Sequence, residues 1–390
     1  MIYLDHHSTT PCDQRVIAAM LPWLTDHFGN PHSNSHQYGR TAGEAIEQAI
    51  GEIASLLQAP SSSVVMTSGA TESNNLAIRG VCLHPRQKRR HIVTVSNEHS
   101  AVLDVVAQLQ RDGFRVTQVP VHPAGTERAG IVDLDRLAHC IDDDTALVSV
   151  MWANNEIGAI APIRQIAELA HARGALLHSD ATQAVGHLDV SLIDDDVDLL
   201  SLSAHKFYGP KGTGALIVGN GNRRVRLLPQ IVGGGQQGGL RGGTMNPAGV
   251  IGLATALRIA VDEIEFATEQ TRRLRDQLYQ RLTLAIEPLT VNGPPLDSPW
   301  RLTRNLNVTL PEIEGQTWMI ATPDVAFSSG SACSSVDPKP SHVLLAMGID
   351  ESMARRSVRF GVGRFNTTAE LEDASIQLID AYQRMRRMKA

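Results

Sequence analysis

Lys206 follows the apolar run Leu199 to Leu202 and precedes the turn Phe207-Tyr208-Gly209-Pro210-Lys211-Gly212. A lysine partly withdrawn from water at a strand exit has a lowered pKa and becomes an imine-forming nucleophile. Taken alone, it reads as a surface lysine beside a turn. Asp180 closes another apolar run, and Gln183 stands three residues further on. A carboxylate facing a pyridinium nitrogen keeps that ring protonated as an electron sink, and with a lysine imine this is a general requirement of pyridoxal-phosphate chemistry. By itself Asp180 could cap the next helix. Ser68-Gly69-Ala70-Thr71-Glu72 lies between a strand and a helix, offering free backbone N–H groups and a hydroxyl to a phosphate. The alternative there is an ordinary turn with Thr71 as a helix cap. The loop is neither a Walker A sequence nor a G-x-G-x-x-G fingerprint, so nucleotide binding is not indicated. Cys333 sits in Ser328-Ser329-Gly330-Ser331-Ala332-Cys333-Ser334-Ser335, which is small and polar. Structural cysteines usually sit among apolar residues; this setting suits an accessible reactive thiol, whose thiolate is the attacking form. Cys12, Cys82 and Cys140 lie in or beside apolar patterns and read as structural.

The elements that must position these groups follow from periodicity. Val64-Val65-Met66, His91 to Val95, Ala146 to Met151, Ala175 to Leu177, Leu199 to Leu202 and Ala215 to Val218 read as strands. Helical runs alternate with them, among them Ala101 to Leu109. Another opens at Pro162, carries Ile163, Ile166, Ala167 and Ala170 on one face, and stops at Gly174. This alternation predicts an α/β domain on a mostly parallel sheet flanked by helices. In such sheets ligands bind outside the carboxyl ends of the strands. Ser68, His99, Asn154, Asp180, His205 and Lys206 all fall at those ends and predict one active-site rim. From Val250 to about Glu287 the pattern is helical, and Asn305 to Leu310 reads as a strand. A large domain over 15–260 is therefore expected, with residues 1–14 and 261–390 forming a smaller α+β domain.

Composition narrows the function classes. The 390 residues carry 35 basic and 41 acidic side chains, a formal charge of −6 that argues against a dedicated nucleic-acid binder. The short cluster Arg86 to Arg90 reads as a solvated turn. Four cysteines without a CxxC pair signal neither structural zinc nor a disulfide scaffold, and point to a reducing compartment. With no signal peptide and no membrane-length apolar window, a cytoplasmic protein is expected. The acidic runs Asp142 to Asp144 and Asp194 to Asp196 lack the spacing of a calcium loop and read as solvated loops.

Seven blocks then occur in order. They are Asp5 through Pro11, Ser68 through Asn75, Asn154-Asn155-Glu156-x-Gly158, Asp180-Ala181-x-Gln183, Ser203 through Gly212, Gly233-Gly234-Gly235-Gln236 and Ser328 through Cys333. Across nearly its whole length the chain resembles the cysteine desulfurases, pyridoxal-phosphate enzymes of the class V aminotransferase fold (fold type I). The short Cys333 block resembles the group I branch of NifS- and IscS-type enzymes. The resemblance implies that Lys206 forms the imine with pyridoxal 5'-phosphate and later moves protons at the substrate Cα. It implies that Asp180 pairs with the ring nitrogen, Gln183 with the ring hydroxyl, and that His99 stacks on the ring and serves as acid/base. Ala70, Thr71, Ser203 and His205 would hold the phosphate, completed by Thr244 from a second subunit, so a homodimer is expected. Asn155 and Arg359 would bind the carboxylate of L-cysteine, a bidentate task that suits a guanidinium. Cys333 would take the sulfur as a persulfide and pass it to an acceptor such as an iron–sulfur scaffold protein; no metal, membrane or direct nucleic-acid contact is implied.

Some positions depart from the usual pattern of that family. His6-His7-Ser8 stands where Asn-Asn-Ala is usual, and two adjacent histidines cannot alone form a tetrahedral metal site. Gly242 and Gly361 stand where serines are common, and Gly238-Gly239 where a Glu/Arg-like pair and Gly are frequent. Rival readings are a selenocysteine or cystine lyase, against which the retained Cys333 argues, and a sulfur-delivery subunit whose main role is docking. Iron–sulfur clusters, tRNA thiolation, cofactor assembly and DNA phosphorothioation all remain open as destinations of the sulfur.

Overall fold

The computed structural model describes residues 1–329 and 339–389, so Cys333 lies outside the described residues. Among the described residues a seven-stranded sheet comprises β1 (Val64–Thr67), β2 (His91–Val95), β3 (Arg115–Val119), β4 (Thr145–Ser149), β5 (Leu176–Asp180), β6 (Leu199–Ser203) and β7 (Gly214–Val218). Their spatial order is β1-β7-β6-β5-β4-β2-β3. β7 runs antiparallel to both its neighbours, and the other pairs are parallel. Strands β2, β4 and β6 are buried along their whole length. They read as continuous apolar runs because helices cover both faces of the sheet.

Successive residues of each strand point to opposite faces. Val93, Val148 and Leu200 join one core with α1 (Gln37–Leu56), and Ile92, Leu147 and Leu199 join the other with α2 (Ala70–Cys82) and α3 (Ser100–Arg111). Helices α4 (Ile163–Ala172) and α5 (Pro247–Asp262) complete the first face. As the sequence predicts, Gly174 ends α4 in the left-handed region, at φ 66°. The apolar run through Met151 leaves the sheet earlier than expected, at Ser149. The helical run after Val250 is broken at Glu263, with φ −102° and ψ 7°, before α6 (Ile264–Ala285) begins. The break has a packing cause: α5 is buried in the core shared by α1 and the large sheet, while Leu274, Leu278 and Leu282 of α6 enter a different core.

That second core lies on an antiparallel sheet, β10-β11-β9-β8, built from β8 (Thr290–Val291), β9 (Asn305–Thr309), β10 (Ser328–Ser329) and β11 (Ser357–Gly361). Trp318, Phe360 and Leu378 of α7 (Thr368–Lys389) fill it, and Trp318 Nε1 donates to Leu378 O at 2.9 Å. Ile2 and Leu4 also belong to this core, because the short strand Ile2–Tyr3 pairs with Val325–Ala326. The chain then crosses to the large sheet, where Thr10 N donates to His205 O at 3.0 Å. Among the described residues no helix is long and apolar enough to cross a membrane.

Candidate active site

The parallel strands place their carboxyl ends along one edge of the large sheet, and a cavity of about 510 Å³ opens there. Ser68, Thr71, His99, Asp180, Ser203 and Lys206 all line it. At its floor, α2 starts without a side-chain cap. The first intrahelical bond joins Ser73 N to Gly69 O, so the preceding N–H groups of Ala70, Thr71 and Glu72 have no acceptor within the helix. Gly69 has φ 148°, and a Cβ on Gly214 would fall 2.6 Å from the Gly69 Cα, so two glycines let the loop lie against β7. Glu72, which would repel an anion at this helix start, is paired with Arg241 at 2.9 Å.

Lys206 Nζ donates to His7 O at 2.7 Å and Ser8 O at 2.6 Å. Burial, with the nearby Arg359 and Arg304 guanidinium groups, lowers its pKa to about 8, against the opposing pull of Asp180 and Asp5. Asp180 is 6% exposed. Its Oδ2 accepts from Asn74 Nδ2 at 2.7 Å and its Oδ1 from Thr182 N at 3.0 Å, so the carboxylate is held from two sides. Gln183 also lines the cavity and is bonded to His7 and Arg304. His99 caps α3, its Nδ1 accepting from Ala101 N at 3.1 Å, with its ring on the cavity wall. His205 Nδ1 meets Thr9 Oγ1 at 3.0 Å. Burial, then Lys206 and Lys211, bring the His205 pKa to about 4, so the ring is neutral near pH 7.

Asn155 lines the cavity, and Arg359 reaches the same region from β11. Arg359 Nη1 donates to Asn155 O at 3.1 Å, and Nη2 to Asp5 Oδ1 at 2.7 Å and Ser328 Oγ at 3.0 Å. The buried Arg359 Nε has no hydrogen-bond partner among the described residues.

Ala70, Thr71, His99, Asn155, Asp180, Gln183, Ser203, His205 and Lys206 thus share one cavity. Thr244 is exposed and is not part of the cavity wall of its own chain. Asn154 differs from the expected rim position. It is buried, its Nδ2 donates to Asn97 O at 3.0 Å, and its Oδ1 accepts from Glu156 N and Ile157 N, so it braces the loop rather than facing the cavity. Sequence reasoning missed Asp5, His7, Asn74 and Arg304 as part of this region. Asn74 left a trace: it is an amide on the buried face of α2, between Ser73 and Leu76.

The family described as Aminotransferase class-V matches residues 2–373. Cysteine desulfurase IscS of Rickettsia bellii (strain OSU 85-389) is 44% identical over 378 residues, covering 97% of this chain and 90% of that relative. Among solved structures, a NifS-like protein is 33% identical with a TM-score of 0.89, over 98% of this chain and 99% of that one. SspA in complex with cysteine is 34% identical with a TM-score of 0.81, over 94% and 100% of the two chains.

Proposed function

Because the chain belongs to the aminotransferase class-V family and, within it, to the cysteine desulfurases, we propose that it is a pyridoxal-phosphate-dependent cysteine desulfurase. It converts L-cysteine to L-alanine and leaves the sulfur as a persulfide on Cys333 for transfer to an acceptor protein. The observation that carries this reading is the meeting, in one cavity, of a lysine amine, a doubly held carboxylate and an uncapped helix start. These residues fit pyridoxal phosphate: the helix start suits the phosphate, Asp180 the ring nitrogen and Lys206 the aldehyde carbon. When bound, the cofactor supplies an electron sink for negative charge at the Cα of an attached amino acid.

The protein's own groups do the rest. Thr71, Ser203 and His205 would hold the phosphate with the N–H groups of Ala70 and Thr71, and Thr244 of a second copy of the chain would complete that cradle, which makes the working unit a homodimer. Asn74 and Thr182 fix the Asp180 carboxylate, and with the cofactor bound Gln183 would donate to its ring hydroxyl and His99 would lie against its ring. Arg359 and Asn155 take the substrate carboxylate. Lys206 has an amine partly neutral near pH 7 and so accepts and returns the Cα proton. His99 is placed to exchange a proton with the substrate thiol. The Cys333 thiolate attacks the substrate sulfur; the Cβ–S bond breaks, an S–S bond forms and the carbon end takes up a proton. L-cysteine plus a thiol gives L-alanine plus a persulfide, so no outside oxidant is needed. Residues 15–260 act as the cofactor domain, and 1–14 with 261–390 as the domain bearing Cys333 and Arg359.

The test is a product assay with pyridoxal phosphate, L-cysteine and a thiol reductant. Equal alanine and sulfide are expected, with sulfur retained on Cys333 when reductant is omitted. Lys206→Ala should lose the visible absorbance of the lysine-linked cofactor; Cys333→Ala should keep it and lose sulfur transfer. Pyruvate and ammonia as products would overturn the proposal.

A further inference from the structure

The paired histidines His6-His7 have no part in the chemistry above, yet both rings are buried. Gln183 Oε1 receives a hydrogen bond from Arg304 Nη2 at 3.2 Å, and Gln183 Nε2 donates to His7 O at 2.9 Å. A guanidinium only donates and a carbonyl only accepts, so these partners identify both ends of the amide. His7 Nδ1, 3.0 Å from the same Oε1, must then carry its ring proton and donate. Burial holds the His7 ring well below its ordinary pKa, in keeping with a neutral ring. The Gln183 oxygen is therefore occupied by two donors, and one of its N–H groups by a carbonyl. What remains for the cavity is the second N–H. Turning the amide over would set its NH2 against two donors and its oxygen against the His7 carbonyl, so the side chain is locked.

The same segment holds the lysine. His7 O and Ser8 O both accept from Lys206 Nζ. Arg304 is 3% exposed, reaches His6 O at 3.2 Å and, at 2.6 Å, the His187 Nε2 that itself lies 2.9 Å from Lys206 O, so the guanidinium is packed one ring away from the lysine backbone; it makes no salt bridge among the described residues. We propose that His7 and Arg304 are positioning residues: together they lock the Gln183 amide as a donor to the cavity, and with the His6-His7-Ser8 backbone they fix the state of the Lys206 amine. This rests on the pyridoxal-phosphate reading of the site. Charged groups facing Lys206 come from three other places: Arg359 on β11, Asp180 on β5 and Asp5 on the N-terminal segment. Arg359 and Arg304 favour the neutral amine, and the two carboxylates oppose them. Arg304 differs from Arg359 in lacking a carboxylate to offset it.

Two measurements test this. The first is the rate of acetylation by acetic anhydride against pH in the cofactor-free full chain, read by mass spectrometry on the Lys206 peptide; the chain has five lysines, so the others serve as internal references. Arg304→Gln should move the Lys206 midpoint upward by about one pH unit, cutting labelling near neutrality roughly tenfold, and Arg304→Lys should restore it. An unmoved midpoint in folded Arg304→Gln overturns the role of Arg304. The second uses equilibrium dialysis with pyridoxal phosphate, and decides the matter if Arg304→Gln does not fold. His7→Leu should weaken binding by about three- to tenfold, the worth of one hydrogen bond, and His7→Asn, which keeps a side-chain N–H, should restore it. Wild-type affinity in His7→Leu, or no recovery in His7→Asn, overturns the lock. Failure of the wild type itself to bind pyridoxal phosphate would instead sink the functional reading, while the acetylation profile would still report on Arg304.

Discussion

Lys206 should make the protein's stability depend on pH in a direction opposite to that of an ordinary salt-bridged lysine. Its pKa falls from 10.5 in the unfolded chain to about 8 in the folded one. Between those values the unfolded state binds more protons than the folded state, so folding stability rises with pH. Below pH 8 both states are protonated, and the full penalty for a buried ammonium is present. It amounts to about 3 kcal/mol at pH 7 and falls to about 1.5 kcal/mol at pH 9.5. Lys206→Met removes the titrating group. It also removes the hydrogen bonds to His7 O and Ser8 O, which shifts the comparison by an offset but does not create its pH dependence. Denaturant unfolding of the cofactor-free wild type and Lys206→Met, run side by side from pH 7 to 9.5, should show the wild type gaining about 2 kcal/mol on the variant. A difference flat across that range, or one shrinking in favour of the variant, would refute the reasoning and mean that Lys206 keeps its ordinary pKa in the folded protein. The functional consequence is large. At pH 7 roughly a tenth of an amine with pKa near 8 is neutral and nucleophilic, against roughly three parts in ten thousand for an ordinary lysine.

Asn74→Ala leaves the buried Asp180 Oδ2 without its amide donor, and affinity for pyridoxal phosphate, read by equilibrium dialysis, should fall about tenfold or more, the scale of a hydrogen bond to a charged group. Unchanged affinity would mean that Thr182 N alone fixes the carboxylate. Arg359→Gln should raise KM for L-cysteine by about a hundredfold while leaving the visible absorbance of the loaded enzyme in place, since a bidentate charged contact is lost without touching the ring. Asp5→Asn should have a smaller effect on KM in steady-state assays, because Ser328 Oγ and Asn155 O still hold the guanidinium.

How far the sequence disclosed this site depends on how local each contact is. Strand exits are local: an apolar run ending in a polar residue announced Asp180 and Lys206, and the shared strand direction brought them to one edge. Asn74 was harder, because one amide on a buried helix face becomes informative only when Asp180 is seen opposite it. The charge runs lie in loops and turns as read, but their long-range partners were equally hidden. Asp142 takes Arg115 at 2.6 Å, Asp196 anchors Arg223, and Arg89 donates to Thr145 O and Arg173 O, so charges read as solvated are partly tied into the fold by distant partners. Arg304 carried no signal, since an arginine just before a strand is ordinary until its surroundings prove to hold no carboxylate pair among the described residues.

The N-terminal segment shows what a reading along the chain misses. Within a few residues Leu4 is buried in the second core, Asp5 meets Arg359, His7 and Ser8 hold Lys206, Thr9 meets His205, and Thr10 receives Tyr208 N. Every one of these partners lies about two hundred or more residues away in sequence, so neither periodicity nor spacing could announce them. The physical reason for such a strap is geometric. Lys206 and Asp180 ride on the large sheet, Arg359 on the small one, and a turn at residues 6–8, closed by Ser8 N donating to Asp5 O at 2.9 Å and bonded to both sheets, sets the distance between amine and guanidinium. A hydrogen-bonded turn brings the Cα atoms of its first and fourth residues within about 7 Å, so Asp5, which holds Arg359, and Ser8, which holds Lys206, stand across a narrow cleft. A substitution that opened this turn would therefore misplace the substrate-carboxylate end of the site relative to the lysine without changing either residue.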